Sequence, residues 1–322
     1  MDIVKLNTAE ADLLIGELAD NGIALNSPIL QYFAESKDTE NFVPEDVSAG
    51  LTAKGLYPVH EDLKRAFTVL FQPDMKISLF SRMYAMINPA DFYVKDGTAV
   101  NFAFHDNGDV FIHPPVLMSE FIDNTVELFS SFLPVKSRDD ELLLRYTFSI
   151  DEYLVISAVI QLEDAYLKVG SIDELGELSF SVEDIIECIR NRDRFLNAAL
   201  LSEMEFINID KFYDNFEQRV REIFQNFYDV GYISGLDLNT CRIGEHGRQL
   251  YDSASSVSSF FLSGGVEKYK EEGIELSTFS LIGAPASVFQ IKFEDSLLNF
   301  YELSSLGQLK EIFVDTFSAT TD

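Results

Sequence analysis

The residues able to do chemistry in this chain are few and scattered. Four histidines stand at His60, His105, His113 and His246, and two cysteines at Cys188 and Cys241. His105 and His113 flank the turn Asp106-Asn107-Gly108-Asp109, so a hairpin there could bring two imidazoles and the Asp109 carboxylate towards one ion. The odd spacing about the turn and the lack of a third nearby imidazole make ordinary edge-strand histidines the simpler reading. His60 precedes Glu61-Asp62, and His246 sits in Gly244-Glu245-His246-Gly247-Arg248; both read as exposed helix positions. Cys188 lies beside Asp184 and Glu187, whose charge raises a thiol pKa and makes a poor nucleophile. Acid pairs such as Asp139-Asp140 are too common among 54 acidic residues to mark an acid/base couple. The chain has no nucleophile elbow, P-loop or dinucleotide fingerprint, and Gly264-Gly265, without a third glycine or a βαβ setting, reads as a hairpin turn. The expectation is a protein that is not an enzyme, with no catalytic residue, cofactor or metal.

Composition narrows the partners. With 54 acidic against 24 basic residues the net charge is −30, which opposes long-range attraction to phosphate backbones or anionic lipid. A hydrophobic content of 47% over 322 residues supplies a real core, so the acids belong to a solvated surface; a DNA-mimic surface is the sharper alternative. Twenty-eight phenylalanines, thirteen tyrosines and no tryptophan describe a Phe-filled core. The start Met1-Asp2-Ile3-Val4-Lys5 has no apolar signal core and no run is long enough for a membrane span, so a cytoplasmic protein with reduced cysteines is expected.

Periodicity then sets out the elements. Thr8 to Asp20 reads as a helix stopped by Asn21-Gly22, and Pro44-Glu45-Asp46 opens another that ends near Gly55. Pro58 opens a third, with Leu63, Ala66, Phe67 and Leu70 on one stripe, closed by Pro73. The period then changes to two: a strand runs from Met75 and could continue to Ile87, Phe92-Tyr93-Val94 follows, and Asp96-Gly97 turns into Val100, Phe102 and Phe104. Val110-Phe111-Ile112 and a helix from Val116 to Leu133 finish that half. Beyond it come a strand at Leu142 to Phe148, a capping box at Ser149 to Glu152 opening a helix to Lys168, and a weaker box at Ser181 to Asp184. Helices are expected from Arg194 to Met204 and from Asp210 to Asp229, the latter with Phe212, Phe216, Val220, Ile223, Phe224 and Phe227 on one stripe. A helix from Glu245 to Ser253, strands near 257–262, 276–281, 287–292 and 297–301, and a helix from Ser305 to Phe317 complete the chain.

This order reads as one unit used twice. Gly50 and Gly231, Leu70 and Tyr251, and Phe80 and Phe261 each stand 181 positions apart, and each half closes on a similar helix. Meanders flanked by helices imply an α+β fold with an antiparallel sheet. The expected organisation is a first repeat over 1–134 and a second over 135–322, in one compact two-lobed body with pseudo-twofold symmetry and helical bundles at its ends. The second copy carries extra helix between Gly170 and Asp229.

Two stretches bear on binding. Residues 220–251 resemble a winged-helix segment, a short apolar strand before a helix with Gly247-Arg248 near its start, but Glu245 and Asp252 flank the arginine, so a packing scaffold is the simpler use. Phe260 and Phe261 are adjacent in a strand, so one must turn away from a single core face, and Tyr232 follows a helix stop; these three are the candidate partner contacts, with burial in the core the simpler role for each.

The first half also resembles a known family. Gly50-Leu51 before a polar turn, a helix ending Val69-Leu70-Phe71-Gln72-Pro73, an alternating strand from Met75, short strands and an amphipathic helix are similar in order to EspG-type chaperones of type VII (ESX) secretion. The likeness covers most of residues 44–134 and, more loosely, 210–317; it rests on pattern, and no binding position carries over. It implies a quasi-twofold α+β protein that binds a helical secreted client and keeps it soluble. The phenylalanine richness, lack of tryptophan and strong acidity depart from that family. The leading expectation is a cytoplasmic protein-binding module, a secretion chaperone or adaptor, whose surface lies on the sheet hairpins or the second-half helices. The alternatives are a winged-helix-derived regulator or acidic DNA mimic, and a structural assembly protein.

Overall fold

The computed structural model describes residues 3–20, 44–83, 86–104, 109–133, 143–169, 179–190, 215–235, 237–254, 260–270, 273–284 and 287–318. The helix expected from Arg194 to Met204, His105, Phe212 and the turn at 105–108 lie outside these residues. The order begins β1 (Val4–Leu6), α1 (Thr8–Asp20), α2 (Pro44–Ala53), α3 (Glu61–Phe71), β2 (Met75–Met83), β3 (Met86–Lys95), β4 (Thr98–Phe104), β5 (Val110–Ile112), β6 (Val116–Leu117) and α4 (Met118–Glu127). It continues with β7 (Arg145–Ser149), α5 (Ile150–Val169), α6 (Val182–Arg190), α7 (Phe216–Asp229), β8 (Ile233–Gly235), β9 (Cys241–Ile243) and α8 (Glu245–Ala254). Last come β10 (Phe260–Lys270), β11 (Gly273–Ala284), β12 (Ser287–Glu294), β13 (Leu297–Glu302) and α9 (Leu306–Phe317).

The fold is α+β around one antiparallel sheet of eleven strands, in the order β1-β5-β4-β3-β2-β10-β11-β12-β13-β7, with β6 paired to β4. Its centre is the β2–β10 pair, where Ile77 faces Val266 and Met75 faces Lys268. Outward from that pair the two sides run alike: three strands in a meander, then a helix, α4 on one side and α9 on the other. The constant offset of 181 is not the register of the strands, since β2 starts at Met75 and β10 at Phe260.

Local chemistry explains where the helices start. Asn7 and Glu10 cap α1 reciprocally, each backbone N–H donating to the other's side chain at 2.9 Å, and Lys54 Nζ joins Glu10 Oε2 at 2.6 Å to tie α2 to α1. The box at Ser149 and Glu152 forms as expected, with bonds of 2.8 and 3.2 Å, and Ser181 with Asp184 repeats it before α6. Ser305 accepts from Gln308 N–H to open α9. The helix expected from Pro58 begins three positions later at Glu61, and the one expected from Val116 to Leu133 is the shorter α4, preceded by β6 and followed by turns. The strand expected to reach Ile87 instead ends at Met83, and β3 returns along it from Met86.

Both faces of the sheet are covered, because antiparallel partners share a face and successive residues alternate. One face packs Met75, Ile77, Val94, Phe260, Leu262, Val266, Phe279 and Leu281 under α4 and α9. The opposite face carries two separate helical groups. Towards one end Tyr93, Val100 and Phe102 meet α1, α2 and α3; towards the other Phe261, Ile282, Phe289 and Phe300 meet α5, α6, α7 and α8. Helix α5 lies at the middle of its group, and Leu154, Val155, Ile156, Ala158 and Val159 are all buried, as a helix apolar around its circumference requires.

The pair Gly264-Gly265, read as a hairpin turn, is instead mid-strand in β10. A Cβ on Gly264 would stand 2.5 Å from Phe279 Cε1 in the partner strand, so the missing side chain makes room for that ring. Among the described residues, Asp96-Gly97 and Asp295-Ser296 form hairpin turns, all four at positive φ.

Candidate protein-binding surface

The three residues singled out as partner contacts go to the interior. Phe260 is 8% exposed and Phe261 6% exposed, the first under α4 and α9 and the second under the α5–α8 group. The two adjacent rings do part to opposite faces, and since the sheet has a helical layer on each face, each ring takes the core position that was the simpler reading. Tyr232 is half-buried against Phe148 and Phe227, with ring centroids 5.8 and 5.3 Å away. Burial, then the Glu152 charge, raises its phenol above the ordinary range.

His60, His246 and the two cysteines make local contacts within the fold. His60 is the N-cap of α3 and its Nε2 lies 3.0 Å from Gly55 O; His246 is exposed, with Nδ1 2.7 Å from Val230 O. Asp109 pairs with Lys5 Nζ at 2.7 Å. Among the described residues no three His, Cys, Asp or Glu side chains come together as a metal site would require. Burial pushes both thiols up to about 11, Cys241 also through the Asp237 charge, and Cys241 Sγ donates to Asp237 O at 3.0 Å.

The winged-helix-like stretch folds as α7, the two-stranded ribbon β8–β9, and α8. Gly244 and Gly247 let the backbones of residues 231 and 232 approach, since a Cβ at either would meet a carbonyl oxygen at 2.3 Å. Arg248 on α8 bonds Glu163 Oε1 at 3.2 Å and stacks over Tyr251. Arg219 pairs with Asp151, Arg221 with Glu183 and Arg190 with Glu217, so the cations of α6 and α7 also bind their own helical group.

Two open grooves lie elsewhere. One of about 760 Å³ is lined by Ile3, Lys5, Lys54, Leu56, His60 and Leu63 between β1 and the α2–α3 connection. Another of about 480 Å³ runs between α9 and the Asp96-Gly97 turn, with Met75, Val94, Met118, Ile122, Val314 and Phe317 in its walls. Their cations are engaged: Lys54 with Glu10, Lys5 with Asp109, and Lys310 with Asp123.

Among the described residues the two most exposed large apolar side chains lie on a second-half hairpin, with Phe293 on the next strand. Leu276 is 72% exposed, Ile274 60% and Phe293 53%. Register places the first two on one face: Leu276 faces Glu267, Ile274 faces Tyr269, and both share the sheet face of Phe261 and Ile282. Phe293, two residues beyond Ile291, is on that face as well. On this face the sheet floor between the helical groups is small and polar, with Ser78, Gly265, Ser263 and Thr278, and Lys76 Nζ pairs with Asp91 at 3.3 Å. Tyr269 donates to Glu267 at 3.0 Å, and burial together with the Glu267 charge lifts its phenol far above the ordinary range. Sequence reasoning located the hairpins but missed these residues. The available signal was Ile274 and Leu276 alternating with Glu275 after Gly273, in a strand whose start was placed too late.

No protein-family profile matches the chain. No curated protein matches it either. Among solved structures, it bears a distant resemblance to a chain of the "Structure of the Mycobacterium tuberculosis type VII secretion system chaperone EspG5 in complex with PE25-PPE41 dimer". The identity is 10%, the match spans 98% of this chain and 95% of that one, and the TM-score is 0.45. No helix among the described residues is long and apolar enough to cross a membrane.

Proposed function

We propose that this protein is a non-enzymatic protein-binding module of the cytoplasm, a chaperone or adaptor that holds a client in soluble form. The observation that carries the reading is the group Ile274, Leu276 and Phe293, branched and aromatic side chains left in solvent on a chain of net charge −30. Exposed apolar residues on one sheet face have a use when a partner removes them from water. The carboxylates elsewhere keep the free protein dispersed. The finer identity, a type VII secretion chaperone with a helical client, follows from the order of elements read in the sequence and belongs to this proposal.

Affinity capture from the native host, followed by reconstitution with the purified partner, tests it. A helical secreted partner that stays soluble only with this chain is the expected result. Binding of duplex DNA at physiological salt, with no protein partner, would overturn it and favour the winged-helix reading.

A further inference from the structure

Strands β11 and β12 do not stay together. Their ladder runs from Ala284–Ser287 to Ser280–Ile291 and stops, although β11 continues back to Gly273 and β12 continues on to Glu294. On its other side β11 is paired to β10 along its whole length, and β12 keeps its pairing to β13 through Glu294–Leu297. The sheet therefore splits: among the described residues, 273–279 have a ladder on one side and none on the other. Ser277 Oγ and Ser280 Oγ, beside the point of divergence, are buried with no hydrogen-bond partner among the described residues.

From this split we infer that β11 is a strand-addition site, taking an extended segment of another protein along residues 273–279. The inference rests on the protein-binding reading and narrows it to one edge and one backbone conformation. An unpaired ladder is complemented by extended backbone, which supplies N–H and C=O groups at the matching repeat. Ile274 and Leu276 project to one face at the two-residue period, so the added strand needs apolar side chains at alternate positions to cover them.

Charge selects the occupant. Glu294 and Asp295 close β12 beyond the split, and Glu275 on the edge itself is answered by Lys270 at 2.5 Å and by the Lys268 charge. In a chain of net charge −30, a second copy would bring the same carboxylates together, whereas a segment carrying Lys or Arg beside its apolar residues meets them favourably.

The probe is a blocked, dye-labelled nonapeptide alternating valine with lysine and threonine, titrated onto the full chain by fluorescence anisotropy. Saturable binding is expected, with backbone amides of 273–279 gaining protection from hydrogen exchange. Ile274→Lys and Leu276→Lys alter exposed side chains and should each weaken binding by roughly tenfold or more, while Leu128→Lys, an exposed apolar site elsewhere, should not. Equal binding of the peptide with glutamate for lysine or proline for its central valine would overturn the inference, as would indifference to Leu276→Lys. So would a dimer in sedimentation that Leu276→Lys dissociates, since the occupant is then a second copy. A client still held by the Leu276→Lys protein while the peptide fails to bind would remove this site and leave the protein-binding reading standing; absence of both client and peptide binding removes both.

Discussion

At the scale of single residues, the two cysteine thiols are turned inward. Cys188 and Cys241 are buried and carry thiols raised from 9.0 to about 11, chiefly because a thiolate there would lose its hydration. The raised folded-state value means that an unfolded chain gives up these protons first. The stability they contribute is thus fully present below about pH 9 and is lost as pH climbs towards 11. Urea unfolding between pH 8 and 11 should show that decline, with less of it in a variant carrying alanine at both positions. In the same protein a disulfide reagent should modify the thiols only after unfolding. Tyr146, held up to about 12 by burial, then by Tyr232 and Glu302, extends the decline to higher pH. Cys188 was read as a poor nucleophile because acids crowd it in sequence, whereas burial is what raises its thiol. The fates of Phe260 and Phe261 were not legible, since alternation tells that two neighbours part but not what covers each side.

At the scale of elements, starts and stops were written locally and extents were not. Ser149 with Glu152 and Ser181 with Asp184 announced α5 and α6 because a capping side chain acts within three residues. The same logic lay unread in Asn7 with Glu10. Strand β10 was read too short because Gly264-Gly265 looks like a turn until Phe279 is known to lie across it. That contact makes a prediction: Gly264→Ala forces the ring aside and should cost about 1–3 kcal/mol in urea unfolding. Gly265→Ala, with nothing within 4 Å of its new Cβ, should be neutral or stabilise by about 0.5 kcal/mol, since glycine in a strand interior carries an entropic cost. Similar losses at both positions would show that Phe279 is not the reason for Gly264.

At the scale of the whole molecule, one sheet joins both halves through β2 and β10, and helices fill one side of it centrally and the other side at its ends. Net charge of −30 on this body means self-repulsion that unfolding relieves. The urea midpoint should therefore rise between low salt and about 0.5 M sodium chloride, where screening is nearly complete beyond a few ångströms. A falling midpoint would mean that ion pairs such as Lys76–Asp91 and Lys54–Glu10 outweigh the repulsion. What the amino-acid sequence determined by itself was short-ranged: the capping boxes, the Asp96-Gly97 turn, the order of most helices and strands, the α+β class and the net charge. The tertiary structure alone decided that β2 and β10 pair, that both faces of the sheet are covered, and that β11 parts from β12 at Ser280. Strand partners lie up to nearly two hundred residues apart, and propensity reaches only a few. The exposed edge at Ile274 and Leu276 exists because of that divergence, so the candidate binding surface became visible only once the strands were assembled.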